Sequence, residues 1–159
     1  MKLCFKVGLY KQGLLHDMSK YSPTEFLVGA KYYQGNRSPN DAEREDKGYS
    51  SAWLHHKGRN RHHLEYWIDY GLSEGHKMEG MKMPTKYVVE MFCDRIAASK
   101  IYRGKDYTDA DAYNYFKRSQ DHYIIHKDTE ALLESMLLYL KENGEEKALR
   151  YVKKEILHK

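Results

Sequence analysis

The chain has 159 residues, enough for one domain that buries roughly two thirds of its unfolded surface. Hydrophobic residues make up 41% and charged residues 31%, ordinary values for a soluble globular protein. The apolar runs are only a few residues long, which excludes a membrane-spanning helix, and a formal charge of +4 falls well short of a nucleic-acid-binding signature. That charge leans only weakly towards anionic ligands.

The N-terminal stretch MKLCFKVGLYKQGLLHD is interrupted by Lys6, Lys11 and Gln12 and does not read as a secretory signal. Two cysteines, Cys4 and Cys93, are too few for a disulfide framework; they suggest a reducing compartment and an expected cytoplasmic location. Fifteen tyrosines are spread along the chain and are expected at the edges of helix–helix contacts. The nine histidines are not spread evenly, and five of them fall in two places.

Taken in chain order, the periodicity is helical nearly throughout. A first helix is expected from about residue 3 to 19. Ser22, Pro23 and Glu25 then read as N-cap, first helical position and capping-box partner of a second helix that runs to about Gln34. Residues 35–50 read as a polar excursion with at most one helical turn at DAERED. A third helix starts near Ser50, carries AWLHHK, is interrupted at Gly58 and is expected to resume through RHHLEYWIDY. Residues 71–83, with three glycines, read as a mobile loop. Pro84 opens a long helix that stops at Gly104, and another begins at Thr108 or Asp109. Asp128 and Gly144 bound the next, and a last amphipathic helix carries Leu149, Val152 and Ile156 on one face. The expected fold is all-α, a single-domain helical bundle of about seven helices over residues 1–159.

Chemistry concentrates at LLHDMSK (14–20), where His16 and Asp17 end an apolar run, and at HHKGRNRHH (55–63). Neutral imidazoles each offer a lone pair to a divalent metal, while Lys57, Arg59 and Arg61 suit an anion. On a continuous helix, His56, Asn60, His63 and Trp67 form one stripe and His55, Arg59, His62 and Tyr66 its neighbour. The first is expected to point inwards because Trp53 precedes it and Trp67 ends it. Asp94 shares a helix face with Tyr87, Met91, Ala98 and Ile101, and a carboxylate on such a face needs a partner. His16, Asp17 and the histidine block are candidates, and one cation would satisfy all of them. The plain alternatives are a polar helix cap at His16–Asp17, a solvated basic surface at 55–63 and an internal salt bridge from Asp94 to Arg95 or Lys100. His122 and His126, at i, i+4, read as a surface pair.

The order of these features, an adjacent His-Asp in LLHDMSK, a histidine cluster and a distant aspartate in MFCDRIAASK, resembles the HD-domain superfamily of all-α metal-dependent phosphohydrolases. More closely, GLYKQGLLHDMSKYSPTEF, HHKGRNRHHLEYW and KYVVEMFCDRIAASKIYRGKDYT resemble an uncharacterised bacterial family known only as a domain of unknown function, over residues of about 5 to 135. The HD-domain pattern has a ligand histidine ahead of the His-Asp pair, and no histidine precedes His16 here. Three options stay open: a histidine upstream of Met1, a substitute from the block, or an incomplete site.

The resemblance implies that His16, Asp17, Asp94 and one or two of His56 and His63 hold Mn, Fe or Zn. Asp17 and Lys20 are the expected catalytic residues, Asp17 as ligand and proton acceptor and Lys20 on phosphate oxygens. Lys57, Asn60 and Arg61 are expected to bind substrate. The implied reaction is hydrolysis of a small phosphoester such as a nucleotide. Other classes also fit: an HD-like iron redox enzyme, a non-catalytic binding module, or a scaffold with a structural or degenerate metal site.

Overall fold

The computed structural model describes residues 1–35, 37–72, 75 and 77–158. Among them lie nine α-helices and one two-stranded antiparallel sheet. The helices are α1 (Lys2–Lys6), α2 (Tyr10–Leu15), α3 (Pro23–Tyr32), α4 (Pro39–Lys47), α5 (Ser51–Lys57), α6 (Thr85–Arg103), α7 (Asp111–Ser119), α8 (Lys127–Asn143) and α9 (Glu145–Tyr151). Strands β1 (Ile68–Tyr70) and β2 (Met78–Gly80) sit between α5 and α6, with Asp69 opposite Glu79. No helix among the described residues is long and apolar enough to cross a membrane.

α6 is the axis of the fold. Its Val88, Val89, Phe92, Cys93 and Ile96 pack with Phe116 of α7 and with Leu133, Met136, Leu137 and Leu140 of α8. α1 adds Cys4, the residue after it adds Val7, and α9 contributes Ala148 and Leu149. Large aliphatic and aromatic side chains removed from water supply the driving force here. A second layer, α3, α4 and α5, packs on itself and contributes no buried side chain to that apolar cluster among the described residues. Its buried groups are small or polar: Ala42, Ala52, Glu25, Glu43, Ser50 and His56.

The sequence and the structure part at several joints. The expected first helix is two short ones, because Gly8 adopts a positive φ of 90° after α1 and α2 stops at Leu15. The polar excursion at 35–50 contains α4, started by Ser38 as N-cap and Pro39 at the first position, the same device as SPTE at α3. The third helix does not resume after Lys57; Leu64–Trp67 form a single 3-10 turn that runs into β1. The expected loop at 71–83 holds β2, while its residues 73, 74 and 76 lie outside the described ones. α8 is capped by His126, whose Nδ1 accepts from the Asp128 amide, and Asp128 instead pairs with Lys82 at 2.8 Å. The tyrosines divide: Tyr139 and Tyr151 stack at 4.3 Å, whereas Tyr21, Tyr33 and Tyr70 are exposed.

Glu43 of α4 is wholly buried, yet fully partnered. Its carboxylate accepts from Ser51 Oγ at 2.6 Å, Ser50 Oγ at 2.8 Å, Lys47 Nζ at 3.0 Å and the Ala52 amide at 3.3 Å. It thereby gathers the free N-terminal donors of α5. Burial opposes ionisation, but the Ser51, Ser50, Lys47 and Ala52 donors outweigh it and hold the carboxyl down at about 2. A pKa depressed on folding stabilises the native state above the unfolded value of 4.5 and loses that contribution as pH falls through about 2. Glu43→Gln is therefore expected to lower stability by about 2–3 kcal/mol at pH 7. In denaturant titrations at falling pH, the gap between variant and wild type should close below pH 4.5.

Candidate metal centre

Neighbouring residues on one helix diverge by about 100°, so His16 and Asp17 could not face one site from within α2. The chain solves this by leaving the helix at Leu15. His16 is extended, and Asp17 takes a left-handed conformation with φ 60° and ψ 20°, the one positive φ outside glycine among the described residues. Asp tolerates that region better than most residues, and such strain is found where the surroundings hold it in place. The next turn, Met18–Tyr21, carries Lys20 back so that its Nζ meets Asp17 Oδ2 at 2.6 Å.

Two buried glutamates orient the histidines. Glu90 of α6 accepts from His16 Nδ1 at 3.0 Å, and the same oxygen lies 3.3 Å from His62 Nδ1. Glu25 of α3 accepts from His55 Nδ1 at 2.6 Å and His56 Nδ1 at 2.7 Å. An ionised carboxylate only accepts, so each Nδ1 keeps its proton and the Nε2 of His16, His56 and His62 turns the other way. Glu25 is thus only half of the expected capping box: its amide reaches Ser22 Oγ, but its side chain turns inward.

The inward atoms converge on Asp17. His56 Nε2 lies 3.2 Å and His62 Nε2 3.4 Å from Asp17 Oδ1, while His16 Nε2 lies 3.5 Å from Asp17 Oδ2 and 3.3 Å from Asp94 Oδ1. Charge-assisted hydrogen bonds run shorter, at roughly 2.7–2.9 Å. Two donors bound to one cation at roughly 2.1 Å stand about 3.0 Å apart in an octahedral site and about 3.4 Å in a tetrahedral one. Asp17 Oδ1, His62 Nε2 and His63 Nε2 are buried and make no hydrogen bond. Two donor groups result, Asp17–His56–His62–His63 and His16–Asp17–His62–Asp94, each with its atoms within 4.8 Å of one another. These His and Asp groups are close enough to bind a metal ion.

The electrostatics agree. Burial disfavours a charged His16, but Asp94, Glu90 and Asp17 overcome it and push its pKa up to about 10. Asp17 is also buried, yet His56, His16 and Lys20 hold its carboxyl well below the usual range. His63 is pushed down to about 3 by burial and by its neighbours His62 and His56, so it is a neutral imidazole. Glu90 and Asp94 are held down by His16 and His62 against burial.

A family model described as "Family of unknown function (DUF5662)" matches residues 1–138. The chain belongs to that family. No curated protein and no solved structure matches it. Every donor from His16 to Asp94 lies inside the DUF5662 match.

The five ligands expected from the sequence, His16, Asp17, His56, His63 and Asp94, do come together. His62, 1% exposed, stands on the stripe beside the one expected to point inwards; α5 ends at Lys57, the helical register lapses, and His62 and His63 both reach the centre. Asp94 pairs with His16, while Lys100 pairs with Glu145. Ile101, on the face thought apolar, is exposed. Glu90 was missed, although it stands one turn before Asp94. A cleft of about 1320 Å³ opens over the centre, lined by Asp17, Lys20, His56, His63 and Asp94 and also by Arg95 and Arg118. Lys57, Asn60 and Arg61, the expected substrate-binding residues, do not line it. Asn60 is buried and spends its amide on Ser19 Oγ at 2.7 Å and the His56 carbonyl at 2.8 Å. The Arg61 guanidinium lies over Tyr66 and Tyr87 and donates to Tyr87 Oη.

Since His16 holds its proton up to about pH 10, a divalent cation that takes Nε2 must expel it. Titration calorimetry of Mn or Zn at pH 7, in two buffers of different ionisation enthalpy, should show at least one proton released per protein. Affinity should weaken as the pH is lowered.

Proposed function

We propose that this chain is a metal-dependent phosphohydrolase with an HD-domain-like centre, acting on a small phosphoester such as a nucleotide. One observation carries the reading: among the described residues, buried Asp17 Oδ1, His62 Nε2 and His63 Nε2 make no hydrogen bond and face one another at the spacing of co-ligands. His62 and His63 are block histidines that take the place of a ligand ahead of the His-Asp pair.

Mixed imidazole and carboxylate donors suit Mn, Fe or Zn. Asp17, with two carboxylate oxygens, and His62, with one free lone pair, would both serve as ligands. His16 and Asp94 would hold one cation and His56 and His63 the other, with Asp17 between them. A bound cation supplies Lewis acidity to a phosphoryl oxygen and makes water a competent nucleophile near neutral pH.

The protein's own groups do the rest. Asp17 would serve as a ligand, its carboxyl held well below the usual range by His56, His16 and Lys20 against burial. Lys20 orients Asp17 and, on the cleft side, presents its ammonium to a phosphate oxygen as charge develops there. Glu90 and Glu25 keep the imidazoles aimed.

The test is elemental analysis of untagged protein purified without added metal, followed by assays on p-nitrophenyl phosphate, bis(p-nitrophenyl) phosphate and a nucleotide panel. Asp17→Asn, which tolerates the left-handed backbone, should fold, lose metal and lose activity by at least the roughly 100-fold that an outer partner can cost. Full metal content in that variant would remove Asp17 from the ligand set. Stoichiometric iron with a visible band and oxygen uptake, without phosphate release, would favour the redox reading instead. Glu90→Ala, which frees two imidazoles at once, should weaken metal binding about 10- to 100-fold in a chelator competition.

A further inference from the structure

The cleft carries a cation that the centre does not use. On α6, Asp94 and Arg95 are adjacent and point to different walls. Asp94 turns to His16 on the N-terminal side, whereas Arg95 leans on the α7 side, its guanidinium 5.6 Å from the ring centre of Phe116 and 5.4 Å from that of Tyr123. Both residues line the cleft. Arg95 Nε is buried without a hydrogen bond, and the residue makes no ion pair among the described residues.

That is an unusual state for an arginine. Its guanidinium carries five donors and stays charged, and a buried donor without an acceptor is costly to leave unmade. Two aromatic faces hold the group flat and support its charge, but they supply no acceptor for Nε. Two acidic groups that line the same cleft, Asp94 and Asp111, are committed elsewhere. Asp94 pairs with His16, and Asp111 takes Thr108 through its amide and hydroxyl and lies 3.4 Å from Arg103 Nε. Arg118, exposed on the same wall, adds positive charge and also makes no ion pair among the described residues. Ala98 and Ser99 of α6 line the same cleft.

We propose that Arg95 is the anion-binding residue of this cleft, and that it takes a phosphate or carboxylate of the substrate other than the group presented to the histidine–aspartate centre. The substrate is then a small phosphoester with a second anionic group. This assignment rests on the hydrolase reading for the word substrate, but not for the binding itself.

The experiment is calorimetric titration with inorganic pyrophosphate, on protein as purified and after exhaustive EDTA treatment, for wild type, Arg95→Gln and Arg95→Lys. Circular dichroism and thermal melting establish which variants fold. Wild type should bind with and without metal. Arg95→Gln should bind about 10-fold more weakly or worse, and Arg95→Lys should fall between, because it keeps the charge and loses the planar fork. If Arg95→Gln does not fold, Arg95→Lys carries the comparison. Failure of EDTA-treated wild type to bind, or equal affinity in the folded variants, overturns the assignment. Loss of pyrophosphate binding in Arg95→Gln, in a protein that hydrolyses no phosphoester, would sink the hydrolase reading and leave the anion site standing.

Discussion

The structure depends on buried carboxylates. An ionised glutamate taken from water without compensation costs several kcal/mol, so each one recruits every donor in range. Glu43 gathers the start of α5, Glu25 gathers two histidines from its end, and Glu90 gathers His16 and His62 onto α6. The layer of α3, α4 and α5 has few buried apolar side chains of its own, and these polar clamps join its parts where an apolar interface would serve in another fold. Such clamps are directional. They fix the angle of each imidazole as well as the distance between helices.

That directionality makes the centre possible. Apolar packing around α6 positions Asp94 and Glu90 on a rigid helix, while Glu25 stands on a separate layer. Fixing Nδ1 on these two supports sends Nε2 of His16, His56 and His62 towards Asp17, which sits at the left-handed joint after α2. Asp17 is therefore the point at which three segments of chain meet. Its strain, its depressed pKa and its orphaned Oδ1 share one origin, the convergence of imidazoles on one carboxylate. Lys20 contributes the local cation that keeps Asp17 ionised on its open side.

Much of this was legible in the sequence. Proline and serine caps marked α3, Pro84 and Gly104 bracketed α6, and an aspartate on an inward face of α6 demanded a partner. What escaped was whatever depended on leaving a helix. The left-handed Asp17 has no glycine to announce it, and HHKGRNRHH reads as one helical stripe until Gly58 and Asn60 are taken as a stop. With the register lost at Lys57, His62 cannot be placed by periodicity. Glu25 was hidden by a good local explanation, a capping box, whose second half the tertiary structure overrode. The basic residues Lys57 and Arg61 stand out by composition, whereas Arg95, which lines the cleft, sits inside an apolar-looking helix beside Asp94.

The most direct measurement is anomalous diffraction from crystals grown with Mn or Zn, collected at the metal edge. A strong peak is expected within bonding reach, roughly 2.0–2.3 Å, of Asp17 Oδ1 and His62 Nε2, and a second beside His16 and Asp94 at full loading. A map at saturating metal with no peak near Asp17, its imidazoles still paired to the carboxylates, would contradict a metal centre there.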